Sequence, residues 1–515
     1  ADCAIGYEAA NMVYKGLIGY RDDYIEHIQN GRCTCTYNQP VPCVSLCPAH
    51  VDIPGYVALV GEGRYADAIR LLRKDNPFPT TCGFICEHPC EARCRRNMVD
   101  DSINIRGLKR VAADFAGEVD PPQCAPDTGK KIAILGGGPG GLSAAYYLQL
   151  MGHQTTVYEM LPKLGGMLRY GIPNYRLPKD RLDDDIRAIL KTGVQVKNGL
   201  KIGQDITIQQ LRQEYDVVLI TIGASTDKKL GLENEDADGI LSAVQFLRNV
   251  GKNQIMDLTG KEVAVIGGGN VSMDAVRTAK RLGAKKVSIV YRRRTADMTA
   301  LPAEIEGAVA EGIEVQTLKA PASLDIDENH HIKGMYVTPQ MISEIKGGRA
   351  SVKATGEPDQ YIPCDILVVA IGQNIETDHF AEAGIPVERG KIVTTAGGDF
   401  LDMPGVFAGG DCASGPATVI KAIAAAKVVA ANIDEYLGYH HEISCDVEIP
   451  KASLHDRVPC GRAELTEREA CERVCDFEGV ENCMTEKEAK QEACRCLRCD
   501  HFGYGIFKGG REKLW

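Results

Sequence analysis

Short apolar runs closed by glycine set the rhythm of the middle of this chain. Residues 132–135 run into GGGPGG and 263–266 run into GGGN, while 215–220 (YDVVLI) leads to TIGA and 365–372 reads DILVVAIG. Apolar runs of this length bounded by turn signals predict strands buried on both faces, as in a parallel sheet. After residue 135 the period lengthens to that of a helix as far as Gly152. A second strand then runs over 155–158 and ends at Glu159. The same order repeats from Lys261, through a helix, to a strand at 286–290. Strand, turn, helix, strand, twice over, predicts an α/β chain with two nucleotide-type folds. Residues 1–125 are helical in pattern, with one helix expected over 53–74, and a proline-rich linker follows at 121–129.

The first glycine turn places Gly136, Gly138 and Gly141 on G-x-G-x-x-G spacing, with Pro139 and Gly140 between them. The first glycine permits the turn, the second lets backbone approach a pyrophosphate, and the third lets helix and strand pack closely. The helix start offers free N–H groups and a positive dipole end to phosphate. Glu159, about 20 residues on, suits a ribose 2′-hydroxyl. These features together predict a dinucleotide site.

In the second turn Gly267 and Gly269 hold the first two glycine positions, Asn270 and Val271 follow, and Ser272 takes the third. The second strand ends in Tyr291 and then Arg292, Arg293 and Arg294, where an acid would favour NAD. Arginine there suits a 2′-phosphate, so NADP(H) is expected.

A net charge of −11 argues against a nucleic-acid surface, and no apolar run is long enough to span a bilayer. The N-terminus shows no secretory signal, and its Ala1 reads as processed or incomplete. A cytoplasmic location is expected. Of 20 cysteines, ten precede residue 125 and eight follow residue 440. Thiols clustered beside a nucleotide core suit metal better than disulfides. Iron–sulfur clusters, zinc and plain packing are the three readings. No C-x-x-C adjoins either glycine turn, which argues against a disulfide reductase, and the solitary Cys412 reads as packed.

CPAHVDIPGYV, DNPFPTTCGFIC, PCEARC and INIRGLKR resemble the N-terminal domain shared by the glutamate synthase small subunit and dihydropyrimidine dehydrogenase. The resemblance implies a helical fold around two [4Fe–4S] clusters. Cys43 and Cys94 would serve one, completed by Cys33 and Cys35, while Cys47, Cys86 and Cys90 would serve the other. Two departures stand out. The upstream pair is C-x-C rather than C-x-x-C, with a longer gap before Cys43. Lys109 replaces the Gln or Glu of relatives, and a protonated lysine has no lone pair to give. That leaves Cys82 or another group as fourth ligand, or an incomplete cluster. Gly165, Gly166, Met167 and Arg176 match the family's second flavin contact. Gly410 and Asp411 match its ribityl and phosphate contact, and a helix from Thr418 and Val419 would face the flavin. The tail adds Cys483, Cys494, Cys496 and Cys499, read as a third iron–sulfur or zinc site with Cys483, Cys475 or His501 as its fourth ligand.

The expected domains are 1–125 (iron–sulfur), 126–255 and 365–440 (FAD), 256–364 (NADP(H), inserted in the FAD domain) and 441–515 (cysteine-rich). The resemblance implies an oxidoreductase subunit joining NADP(H), FAD and clusters to a partner. The preferred form is an electron-bifurcating ferredoxin:NADP transhydrogenase-type complex with an NADH-oxidising flavin/iron–sulfur subunit and ferredoxin. The alternatives are a glutamate synthase small subunit, with its large subunit as partner, and a docking subunit with idle nucleotide sites.

Overall fold

A computed structural model describes residues 4–19, 28, 41–346, 349–452 and 460–501; Cys33 and Cys35 lie outside the described residues. The cysteine-rich domain is built on α1 (Ile53–Gly61), α2 (Tyr65–Asp75), α3 (Pro79–Ile85) and α4 (Ile105–Phe115). The single helix expected over 53–74 is two. Gly63 takes a φ of +75°, a conformation that ends α1 and turns the chain into α2. Asp52 caps α1 by accepting from Gly55 N, and Tyr56 of α1 donates to Ile105 O at 2.9 Å, tying α1 to the start of α4.

The first nucleotide fold follows as β1 (Lys131–Leu135), α5 (Pro139–Leu150), β2 (Gln154–Glu159), β3 (Gln195–Asn198) and β4 (Val217–Ile220). The second comprises β5 (Ile240–Ser242), β6 (Glu262–Ile266), α6 (Asn270–Arg281), β7 (Lys286–Tyr291), β8 (Glu314–Thr317) and β9 (Ile366–Val369). The chain then returns to the first fold through β10 (Val406–Ala408) and α7 (Val419–Tyr436), and α8 (Glu486–Cys494) lies near its end. The sheets are parallel, with orders β10-β4-β1-β2-β3 and β5-β9-β6-β7-β8. Ala408 pairs with Ile220, so the second fold is inserted into the first. Strand order reverses beside β1 and beside β6, the switch points where such sheets bind ligands. Both glycine turns sit there.

An antiparallel meander was not foreseen. Its strands, Lys319–Ile326, Ile332–Lys346, Arg349–Ala354 and Gln360–Pro363, lie between β8 and β9. The C-terminal segment packs back onto the cysteine-rich domain. Met484, Ala489 and Ala493 share a core with Leu108 of α4 and Val57 of α1. Arg106 pairs with Glu481 at 2.6 Å and Arg462 with Glu91 at 2.9 Å across the same seam.

Candidate functional site: two nucleotide loops and two thiol nests

The first loop is glycine where packing demands it and open where a ligand would approach. A Cβ on Gly141 would collide with the Gly136 carbonyl oxygen and fall 2.7 Å from Thr221 Oγ1. At Gly138 a Cβ would find nothing nearer than 3.9 Å, and at Gly140 nothing within 4 Å. Gly138 caps α5 and Pro139 begins it, with no side chain bonded to the first N–H groups. Those donors are available to a pyrophosphate. Glu159 Oε2 accepts from Gly137 N at 2.8 Å and Oε1 from Leu161 N at 2.7 Å. Burial pushes its pKa up against these bonds. The expected ribose acceptor therefore also fixes the loop.

Gly165 N donates to Gly137 O at 2.8 Å, and a Cβ on Gly166 would fall 2.8 Å from Gly138 Cα. The second predicted flavin segment, from which Met167 opens a short helix, thus lies against the first loop. Arg176 is placed differently from the expectation. Its Nη1 donates to both carboxylate oxygens of Asp274 at 3.0 Å and its Nε meets Glu304 at 2.9 Å, so it binds the inserted fold. Beyond β10, burial raises Asp411 to about 6 against a bond from Ala417 N. Gly410 precedes it with a φ of +75°. Thr418 caps α7 without a side-chain hydrogen bond, leaving the N–H groups of Val419 and Ile420 as donors. Cys412 is fully buried and donates to Gly409 O at 3.2 Å; burial lifts its thiol to about 12. It is packed, not reactive.

The second loop repeats the logic. A Cβ on Gly267 would collide with Ala370 O beyond β9 and with Ser272 Oγ, a buried hydroxyl without a hydrogen-bond partner. Gly269 caps α6 with no side chain bonded to its first donors, and Val271 packs beneath. Asn270 Oδ1 accepts from Leu301 N at 3.1 Å, while its Nδ2 donates to Glu87 Oε1 at 2.8 Å. The three arginines separate. Arg293 is buried, its Nε donating to Ala350 O of the meander at 2.6 Å. Arg294 pairs with Asp297 at 2.8 Å. Of the run Arg292 alone keeps an exposed guanidinium without a partner among the described residues.

Cys47, Cys82, Cys86 and Cys90 surround the buried ammonium of Lys109. Burial opposes that charge, yet the sulfurs of Cys86, Cys82, Cys47 and Cys90, once ionised, hold it above the usual lysine range. Cys82 is fully buried and lifted to about 12 by burial. Four thiols about one cation fit a cluster whose thiolates carry excess negative charge. Cys86 directly precedes Glu87, the partner of Asn270, so this nest and the second nucleotide loop share a wall.

Cys43 and Cys94 line one cavity with Cys496 and Cys499, beside Cys90 of that nest. Burial raises the Cys43 thiol, with Cys496, Cys90, Cys94 and Cys499 adding to the rise. The structure does not gather the four tail cysteines together. Cys483 lies beside Asp114 and Arg110, and Cys494 is exposed at the end of α8.

Two parallel nucleotide folds, one inserted in the other, with cysteine nests packed beneath, define a pyridine-nucleotide flavoprotein with an iron–sulfur domain. The chain belongs to the pyridine nucleotide-disulphide oxidoreductase family, which matches residues 130–426. Residues 19–120 match the 4Fe-4S cluster domain II of dihydropyrimidine dehydrogenase. Over 512 residues the chain is 38% identical to the NADP(+)-dependent formate dehydrogenase subunit beta of Moorella thermoacetica, covering 92% of this chain and 72% of that one. It is 34% identical to the NADPH-Fe(3+) oxidoreductase subunit beta of Geobacter sulfurreducens, covering 96% and 81%. It is 32% identical to the glutamate synthase [NADPH] small chain of Escherichia coli, covering 77% and 88%. Mycobacterium tuberculosis FprA in complex with NADPH shares the fold, with a TM-score of 0.51 and 20% identity over 61% of this chain and 86% of that one. The chain is thus an NAD(P)H-dependent oxidoreductase built for FAD, NADP and [4Fe–4S] clusters. Among the described residues no helix is long and apolar enough to cross a membrane.

Proposed function

We propose that this chain is the NADP(H)-linked electron-transfer subunit of a multi-subunit oxidoreductase, exchanging hydride with NADP(H) and passing single electrons to a partner. The observation that carries this reading is the 2.8 Å bond from Asn270 to Glu87, which fastens the residue after Cys86 to the second nucleotide loop. When bound, the nucleotide supplies a hydride, the flavin exchanges two electrons or one, and the clusters carry one at a time. The chain's own residues act by position. The uncapped starts of α5 and α6 receive pyrophosphates, and Arg292 receives the 2′-phosphate. Cys47, Cys82, Cys86 and Cys90 hold one cluster, with Lys109 offsetting its charge. Hydride exchange itself needs no side-chain acid or base.

The β subunits of formate dehydrogenase and of Fe(3+) oxidoreductase align with more than nine-tenths of this chain. That supports a partner subunit that sets the final acceptor. The finer form of the reading is an electron-bifurcating ferredoxin:NADP transhydrogenase-type complex in the cytoplasm, with an NADH-oxidising flavin/iron–sulfur partner. A second reading, the glutamate synthase small subunit, is favoured by the 421-residue match to that chain and calls for an amidotransferase partner.

Anaerobic purification of the tagged chain with its native partners tests these readings. NADPH-linked ferredoxin reduction that depends on NAD⁺ supports the bifurcating form. A glutamine-dependent large partner supports the second reading. A colourless preparation that ignores NADPH overturns both and leaves a docking role.

A further inference from the structure

We infer that Cys496 and Cys499, from the C-terminal segment, join Cys43 and Cys94 as the four thiolate ligands of one [4Fe–4S] cluster. The same cluster would clasp the end of the chain to its N-terminal domain. This departs from the resemblance, which assigns two of those places to Cys33 and Cys35. It also departs from a separate metal site within the tail.

Three observations carry it. The first is convergence: Cys43, Cys94, Cys496 and Cys499 line a single cavity walled by Ile53, Val57 and Ile105. An apolar wall around clustered thiols excludes water and suits a cluster held by four thiolates.

The second is the way the tail is held. Glu492 is fully buried, and its Oε1 accepts from Asn104 N at 2.7 Å while Oε2 accepts from Ala463 N at 2.7 Å. Arg495, also buried, pairs with Asp100 at 3.0 Å and donates to Asp101 O at 2.7 Å. Ala493 packs against α1 so closely that a Cβ on Gly61 would lie 3.2 Å from its own Cβ. These contacts fasten residues 492–495 to the loop just after Cys94. The C-x-x-C at 496–499 then turns back over the cavity with Arg498 at a φ of +53°. Glu492 and Arg495 are buried and tied to this loop through several hydrogen bonds, so the placement is built in rather than a chance contact.

The third is spacing. Among the described residues, the metal-capable side chains whose ligand atoms all lie within 4.8 Å of one another are His153, Asp434 and His441, and no cysteine trio is drawn so close. Four sulfurs on one zinc, each about 2.3 Å from the metal, would sit about 3.8 Å apart. The wider spread here fits a multi-iron cluster.

The inference rests on the chain binding iron–sulfur clusters at all, and the test separates the two claims. The full chain is prepared anaerobically as wild type and as C496S/C499S, C33S/C35S and C483S/C494S. Iron, sulfide, zinc and FAD are measured, and EPR spectra are recorded after dithionite reduction. Wild type should hold about eight irons, four per cluster. C496S/C499S should fall to about four irons and lose one reduced-cluster signal, with FAD unchanged. C33S/C35S and C483S/C494S should keep both clusters. A C496S/C499S protein that retains all its iron and both signals overturns the inference alone. So does one that loses zinc while its iron is unchanged. An iron-free wild type overturns the inference and the cluster reading together. Should the double variant lose FAD as well, Cys496→Ser alone decides: altered g-values confined to one of the two signals support the assignment, and two unaltered signals overturn it.

Discussion

Arg176 and Asp274 face each other across the two nucleotide folds, Nη1 of the first donating to both oxygens of the second at 3.0 Å. Both side chains are buried. Arg176 belongs to the second predicted flavin segment, whereas Asp274 lies on the helix that begins at the NADP loop. Burial raises Asp274 to about 6 even with Arg176 beside it, so the pair stands or falls together. Arg176→Met should destabilise the protein by about 3 kcal/mol, because it strands a buried carboxylate. Adding Asp274→Asn should restore part of that loss. Thermal unfolding of the two single variants and the double variant measures the coupling, and strict additivity would show that the pair does not join the folds.

Arg292 should set the preference for NADPH. Arg292→Ala should lower kcat/KM for NADPH about tenfold or more, the value of one charge-assisted contact, and leave NADH unchanged. Arg294→Ala should change neither, since Arg294 is occupied by Asp297. Arg293→Ala should lower stability instead, by freeing the meander carbonyl of Ala350. Steady-state kinetics with both nucleotides separates the three.

Lys109 places a buried positive charge among four thiols. That charge favours the reduced state of a cluster held there. Lys109→Met should lower the midpoint of that cluster by on the order of 100 mV, taking a unit charge about 6 Å away at an effective dielectric of about 20. An EPR-monitored redox titration checks this, and an unmoved midpoint would show that Lys109 is not beside the cluster.

Asp185 ties the flavin fold to α3, the helix that carries Cys82, by accepting from Thr80 N at 3.2 Å and Thr81 N at 2.7 Å. Burial pushes its pKa to about 6 against those bonds. An acid whose folded pKa is raised binds its proton more tightly in the folded state. Its contribution is therefore largest at low pH and is lost as pH rises from about 4 to about 6. Relative to Asp185→Asn, the wild type should give up about 3 kcal/mol over that range, a Tm gap narrowing by about 3 °C for a chain of this length. Calorimetry at pH 4 and pH 7 measures most of this change in the gap, and parallel Tm curves would contradict it.

What could be read in advance follows from how local each constraint is. Gly136 and Gly141 were legible because a side chain at either would strike backbone only a few residues or one strand away. Glu159 was legible as an acceptor, but its second duty, holding Gly137 N, depends on the closed sheet. The fate of Arg293 is decided by Ala350, in a meander whose mixed, half-exposed strands carry weak periodicity. Arg176 read as a flavin contact because its salt-bridge partners, Asp274 and Glu304, lie roughly 100 to 130 residues on. The tail cysteines read as a site of their own because Cys496 meets Cys43 from more than 450 residues away. Buried ion pairs made by the tail bring them together, and no local spacing encodes that.

The central claim is that electrons pass within this one chain between NADP(H) and cysteine-held clusters. An anaerobic NADPH titration followed by absorbance and EPR tests it most directly. The account predicts flavin bleaching at about one equivalent of NADPH, and reduced-cluster EPR signals appearing as more is added. Flavin that bleaches while the clusters stay silent, in a sample where dithionite makes them visible, would contradict it.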